Sequence, residues 1–250
     1  MMDLIAEKTL SFFIGNSPSW NAIRVGAPLG ILWSYICLRF AGYLKLGKGW
    51  RTGYTRKVFH FLIFTSVVII QFLWGTPAVC LFGGMCSLVI FFAIRKGEGN
   101  ILYEAMAREK DEPHRTYYII VPYVATLIGG LASNILFGDM AVVGYLVTGL
   151  GDAIGEPVGV RFGKHAYRVP SLASVLSVRS WEGSLAVFAM SVAAIAAAIA
   201  ILPDLNFTGS SFVLIPLLGL ASAGVEAVSP HGWDNATMQI IPSFLAWLVL

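Results

Sequence analysis

Two acids four residues apart stand inside a glycine-rich apolar run, Gly149-Leu150-Gly151-Asp152-Ala153-Ile154-Gly155-Glu156-Pro157-Val158-Gly159. On a helix this spacing puts both carboxylates on one face. Mg²⁺ takes one or two carboxylates together with substrate phosphates, so Asp152 and Glu156 are candidate metal ligands, and Asp152 is also a candidate catalytic group. Gly151, Gly155, Gly159 and Gly163 recur at the same interval, and for them a small-residue packing seam is the simpler reading. Arg179-Ser180-Trp181-Glu182-Gly183-Ser184 opens an alanine-rich run. Ser180 reads as a helix cap and Glu182 as a first-turn acid; together with Arg179, a helix N-terminus there also suits phosphate. Glu226 closes another apolar run, and a turn with Pro230, His231 and Gly232 leads to Asp234 and Asn235. Lys57 and His60, three apart, share a helix face, either as a phosphate contact or as a basic stop at a membrane edge. By contrast, the 98–115 stretch reads as a mixed-charge solvated linker without chemistry.

The elements that must position these groups are transmembrane helices. Of 250 residues, 57% are hydrophobic and 12% charged, and the mean hydropathy is +0.75. A soluble domain carries about 25% charged residues, so this chain cannot cover a water-facing surface. The apolar material falls into continuous runs at 22–44, 58–75, 76–94, 117–137, 139–160, 182–203, 212–228 and 236–250. Continuous runs exclude the alternation of a β-barrel. The expected fold is an all-α polytopic bundle of about seven or eight spans, each near the ~20 residues that cross hydrocarbon, forming one integral domain over 1–250. The last run is short, about 22 Å at 1.5 Å per residue. Residues 1–20 lack a basic start and a small-residue cleavage site. They read as an interfacial segment, with Leu4, Ile5, Leu10, Phe12 and Phe13 towards lipid. Cys37, Cys80 and Cys86 lie in apolar runs as small fillers, without the spacing of a disulfide or metal site.

Orientation follows from Lys and Arg. Fourteen of the seventeen lie in the connections 45–57, 95–116 and 161–181, whereas the turns near 75, 138 and 203–211 have none. The basic connections are therefore expected in the cytoplasm, with both termini opposite. Under that topology Lys57, His60, Asp152, Glu156, Glu182, Glu226, Asp234 and Asn235 converge at the cytoplasmic membrane face. A carboxylate within a bilayer needs a partner or a wet cavity, so convergence implies a polar site at that depth.

In order along the chain, Arg-Lys-x-x-His at 56–60, Gly-Asp with Glu-Pro-Val-Gly at 151–159, basic-Ser-x-Glu-Gly-Ser at 179–184, and Glu226 followed by Asp234-Asn235 resemble one membrane family. It contains phytol, farnesol and dolichol kinases and the CTP-dependent diacylglycerol kinase, and the resemblance covers 56–235. It implies a multispanning kinase that moves the terminal phosphate of CTP onto a lipid hydroxyl with a divalent metal. It carries Lys57, His60, Asp152, Glu156, Glu182, Glu226, Asp234 and Asn235 over as site residues. Arg179 stands where relatives often have Lys.

Phosphoryl transfer also suits the residues: an anionic donor and a lipid acceptor must meet at the membrane surface, where catalysis rests on position and charge. Asp152 and Glu156 would hold Mg²⁺. Lys57, Arg179, Ser180 and the following helix would bind phosphates, and Glu182 or Asp234 would take the hydroxyl proton. The partners are then a lipid alcohol, a nucleoside triphosphate and membrane lipid, not nucleic acid; oligomeric state is open, a homodimer included. One rival is a cytidylyltransferase making a CDP-lipid, whose signature Pro230-His231-Gly232-x-Asp234 matches only in part. The other is a transporter, whose acids would line a path across the bilayer. The topology is testable with single cysteines at Ser174 and Thr208 in a background without the native three. They should label from opposite sides of intact cells, Ser174 only with reagent that reaches the cytoplasm; labelling of both from outside would dissolve the convergence.

Overall fold

The computed structural model describes residues 2–170, 177–203 and 205–250. Residues 171–176 of the third basic connection, Ser174 among them, and the Leu4 side chain lie outside the described residues. The chain is an all-α polytopic membrane protein, with five helical stretches among the described residues long and apolar enough to cross a membrane. Helix α1 spans Met2–Gly15, with Ile5, Leu10 and Phe13 exposed. Helix α2 (Trp20–Leu46) starts at Ser19, whose hydroxyl accepts from the Ala22 N–H at 3.2 Å.

Helix α3 runs from Thr52 to Lys96 over 45 residues. Straight, it would reach about 67 Å, twice the hydrocarbon thickness. It reverses at Gly75, whose φ of 73° is a conformation only glycine adopts readily, and Pro77 follows. Phe59 in the first arm and Val89, Ile90 and Ala93 in the second share one core cluster, although a straight helix would hold them about 50 Å apart. The expected runs 58–75 and 76–94 are thus two arms of a helical hairpin.

Helix α4 (Ile101–Glu104) precedes α5 (Tyr117–Phe137). A 3₁₀ turn at Gly138–Met140 then returns the chain into α6 (Ala141–Leu146). The Tyr145 hydroxyl reaches back to Asn134 and lies 3.4 Å from the Gly130 carbonyl, which fixes α5 and α6 side by side. Residues Val147–Asp152 continue in π-helical geometry into α7 (Ala153–Phe162). Strands β1 (Ala166–Val169) and β2 (Ser177–Ser180) pair antiparallel, a small sheet not expected from the sequence. Helices α8 (Trp181–Ile201), α9 (Ser211–Val228) and α10 (Asp234–Val249) complete the bundle.

The glycine row is the predicted seam. A Cβ on Gly155 would meet Val187 Cγ2 at 2.7 Å, and one on Gly183 would meet the Gly155 carbonyl at 2.9 Å, so only glycines let α7 and α8 approach this closely. Against that contact packs the main core, including Val143, Val147, Ile195 and Met238.

The 98–115 stretch is not a solvated linker. Leu102, Tyr103, Ala105, Met106 and Ala107 are buried, as is Asp111. Part of its charge turns inward: Glu104, Arg108 and Asp111 are buried, and Glu104 meets Lys45 at 2.9 Å and Arg115 at 2.7 Å. Glu109, Lys110 and Glu112 stay exposed. All four connections of one end interlock. Lys45 reaches Glu109 at 2.7 Å, Arg108 reaches His231 at 2.6 Å, and the His231 N–H donates to the Pro170 carbonyl at 2.8 Å. The turns at 75 and 138–140 and the described residues 202–203 and 205–210 belong to the opposite end, the alternation the Lys/Arg pattern requires.

Candidate active site

Where the four connections meet, a polar cavity of about 210 Å³ is lined by Lys57, Asp152, Glu156, Arg179, Ser180, Glu226 and Asp234. These seven predicted residues come from five elements: the first arm of α3, the π segment, α7, β2 with the start of α8, and the α9–α10 region. The ladder sets Arg179 opposite Tyr167 and Ser180 opposite Ala166. Ser180 then caps α8, its hydroxyl accepting from the Gly183 N–H at 3.1 Å.

The charges are paired. Lys57 Nζ lies 2.6 Å from Asp152 Oδ2, both groups buried. Arg179 Nε meets Glu226 Oε1 at 2.7 Å and its Nη2 meets Asp234 Oδ2 at 3.0 Å, while Nη1 donates to the Glu226 carbonyl. Burial opposes the Arg179 charge, yet Glu226 and Asp234 hold its pKa above the ordinary value. One guanidinium thus joins the end of α9 to the start of α10.

The π segment brings Asp152 to Lys57. Gly149 packs where a Cβ would lie 2.5 Å from Phe64 Cβ, so only glycine permits this approach to α3. There His60 Nε2 lies 2.9 Å from the Thr148 carbonyl and 3.6 Å from Asp152 Oδ2. A carbonyl only accepts, so Nε2 donates and the neutral ring leaves Nδ1 as the acceptor. π-Helical turns recur at functional sites, and this one presents an acid and a carbonyl to the same helix arm.

His60 and Asn235 line a different cavity, apolar and about 390 Å³, between both arms of α3 and α5, with Phe59, Phe64, Cys86 and Tyr123 among its walls. Asn235 also braces the bundle, its Nδ2 donating to Thr126 Oγ1 at 2.8 Å. Arg56 and Lys57 line both cavities, so these two side chains stand between the apolar space and the polar one. Glu182 lines neither. It accepts from His165 Nδ1 at 2.8 Å on the exposed side of α8, which fits the capping role of a first-turn acid.

Four polar-cavity residues lie outside the predicted site set: Arg56, Arg108, Lys110 and His231. Arg56 adjoins Lys57 in the same motif. Burial, then the Arg108 charge, holds the His231 pKa down to about 4. At neutral pH its Nε2 therefore accepts from Arg108. Arg56 Nη1 is buried without a hydrogen-bond partner among the described residues.

Removing one partner of a buried ion pair costs about 3–5 kcal/mol, because the other charge is left uncompensated. Lys57→Ala and Asp152→Ala should each destabilise the protein in chemical denaturation, and the double variant should recover at least about 1 kcal/mol of the summed loss. Strict additivity would show that the pair does not form.

Over 125 residues the chain is 33% identical to a protein described as phytol kinase from Synechocystis sp., covering half of each chain. The chain's match thus spans about half the length of that curated relative. No protein-family model and no solved structure matches the chain. The similarity agrees with the family read from the motifs.

Proposed function

We propose that the chain is a lipid-alcohol kinase that transfers the terminal phosphoryl group of a nucleoside triphosphate to an isoprenoid alcohol. One observation carries this reading: a charged cavity and a larger apolar cavity share Arg56 and Lys57 as their common wall. A lipid alcohol needs an apolar trough for its tail and a charged mouth for the reacting group, and the phosphates need cations at that mouth. The similarity to phytol kinase supports an alcohol of the isoprenoid class, and CTP as donor follows from the family resemblance. The gathering of all Lys/Arg-rich connections at this end supports a cytoplasmic site. With α3 folded at Gly75 and the chain folded again at 138–140, the reading has eight spans, α10 being the shortest.

In this reading the tail lies between the arms of α3 and α5, with the hydroxyl at the junction beside His60. The hydroxyl oxygen attacks the terminal phosphorus, its bond to the bridging oxygen breaks, and the nucleoside diphosphate leaves. His60, with Nε2–H committed to Thr148, offers Nδ1 to the hydroxyl proton; its position fits this better than that of Glu182 or Asp234. Lys57 spans the junction and neutralises the transferring group, while Asp152 holds Lys57 in place. Among the described residues no three His, Cys, Asp or Glu side chains gather to hold a metal ion. The donor set nevertheless fits Mg²⁺ brought with the nucleotide, which needs only one or two protein carboxylates. Asp152 fits that role; Glu156, among cations, fits it less well. When bound, the ion would offset phosphate charge.

The test uses the purified protein with CTP labelled at the α- or γ-phosphate and with alcohol or lipid-phosphate acceptors. The expected outcome is Mg²⁺-dependent γ-label on the alcohol, with CDP released. Lipid carrying only α-label, with pyrophosphate released, would replace the kinase by a cytidylyltransferase. No label in any lipid would reject both.

A further inference from the structure

The polar cavity is divided in charge. On one side Arg108 Nη1 lies 3.5 Å and Lys110 Nζ 3.7 Å from Glu156 Oε1, both too long for a good hydrogen bond. Arg108 is held from behind: Nε donates to Asp111 Oδ2 at 2.7 Å and Nη2 to His231 Nε2 at 2.6 Å. That fixes the guanidinium in one orientation and leaves Nη1 facing Glu156 and the cavity. Arg56 lines the same space with its buried Nη1 unpartnered among the described residues. Three cations here face two acids, Glu156 and Asp111. On the other side Lys57 and Arg179 face three acids, Asp152, Glu226 and Asp234. One half of the cavity thus has a positive charge in excess and the other a negative one.

A buried guanidinium with an unmet donor is costly unless an anion arrives. One carboxylate held beyond hydrogen-bond range does not fill the donors of two arginines and a lysine, whereas a phosphate chain presents oxygens in the number and planar pairing that arginine forks match. We propose that the side built by Arg56, Arg108 and Lys110 around Glu156 seats the terminal phosphates of the donor. Arg108 is then a phosphate-binding residue supplied by the 97–116 connection, to which the family motif assigns nothing. The opposite, acidic side is left for the accompanying cation. The identity of the donor rests on the kinase reading; the anion site does not.

The probe is inorganic tripolyphosphate, titrated by calorimetry into the full chain in lipid nanodiscs. The variants are Arg56→Gln, Arg108→Lys and Arg108→Gln with Asp111→Asn, the last pairing chosen so that no buried acid is stranded. Lys48→Gln, an exposed cation at the same end, is the control. Wild type should bind, and Arg56→Gln and the Arg108/Asp111 double variant should each weaken binding about tenfold, the value of one charge-assisted contact. Arg108→Lys, which keeps the charge but loses the fork, should fall between, and the control should stay within about twofold. If the double variant does not fold, Arg56→Gln and Arg108→Lys decide. Absent binding by wild type, or unchanged binding in the folded variants, would overturn the assignment. A failure of the kinase reading alone looks different: no phosphorylated alcohol forms, yet tripolyphosphate binds and the variants lose it.

Discussion

Charge placed near hydrocarbon must be matched by charge, and the rest of this molecule is arranged around that constraint. A lone ion at such a depth is expensive. Lys57 and Asp152, buried 2.6 Å apart, come from segments ninety-five residues distant in the chain. Joining them requires the first arm of α3 to lie against the π segment, which in turn requires Gly149 at the Phe64 contact. Arg179 imposes a second tie of the same kind between β2, α9 and α10. Arg108 imposes a third, between the 97–116 connection, α7 and the turn at His231. Three cations thus fix which helix ends meet, and the space enclosed by their pairs is the polar cavity.

The apolar cavity follows from a different feature, the reversal of α3 at Gly75. Two arms of one hairpin and α5 leave between them an apolar trough, and Arg56 and Lys57 stand where it borders the charged cavity. A single helical turn, from Arg56 to His60, therefore faces the charged cavity at one edge and the apolar cavity at the other. This accounts for the Arg-Lys-x-x-His spacing: the two basic residues reach the charged side and the histidine, a turn later, reaches the apolar one.

Much of this was legible in the sequence. Asp152, Glu156, Glu226 and Asp234 stood out because acids bordering apolar runs are costly without a role, and all four line one cavity. The seam at Gly155 was legible from its four-residue repeat. Glu182 lines neither cavity, and a first-turn acid looks the same in sequence whether it caps a helix or serves a site. The 98–115 connection was under-read, because its many charges suggest solvent. Yet Leu102-Tyr103 and Ala105-Met106-Ala107 form short apolar patches between those charges, a signal that the segment packs inward and carries Arg108 with it. The β1–β2 ladder was invisible because four-residue strands leave too little periodicity to read.

The central claim is that the apolar trough and the charged cavity form one site. It is tested most directly by photo-crosslinking with an isoprenoid alcohol bearing a diazirine near the end of its tail. The account predicts adducts on the trough walls, on Phe64 and Val67 of the first α3 arm, on Cys86 of the second, and on Tyr123 of α5. Excess unlabelled alcohol should suppress them. Adducts confined to exposed outer residues such as Phe212, Leu217 and Trp247 would contradict it, because the alcohol would then meet the protein only as bulk lipid does.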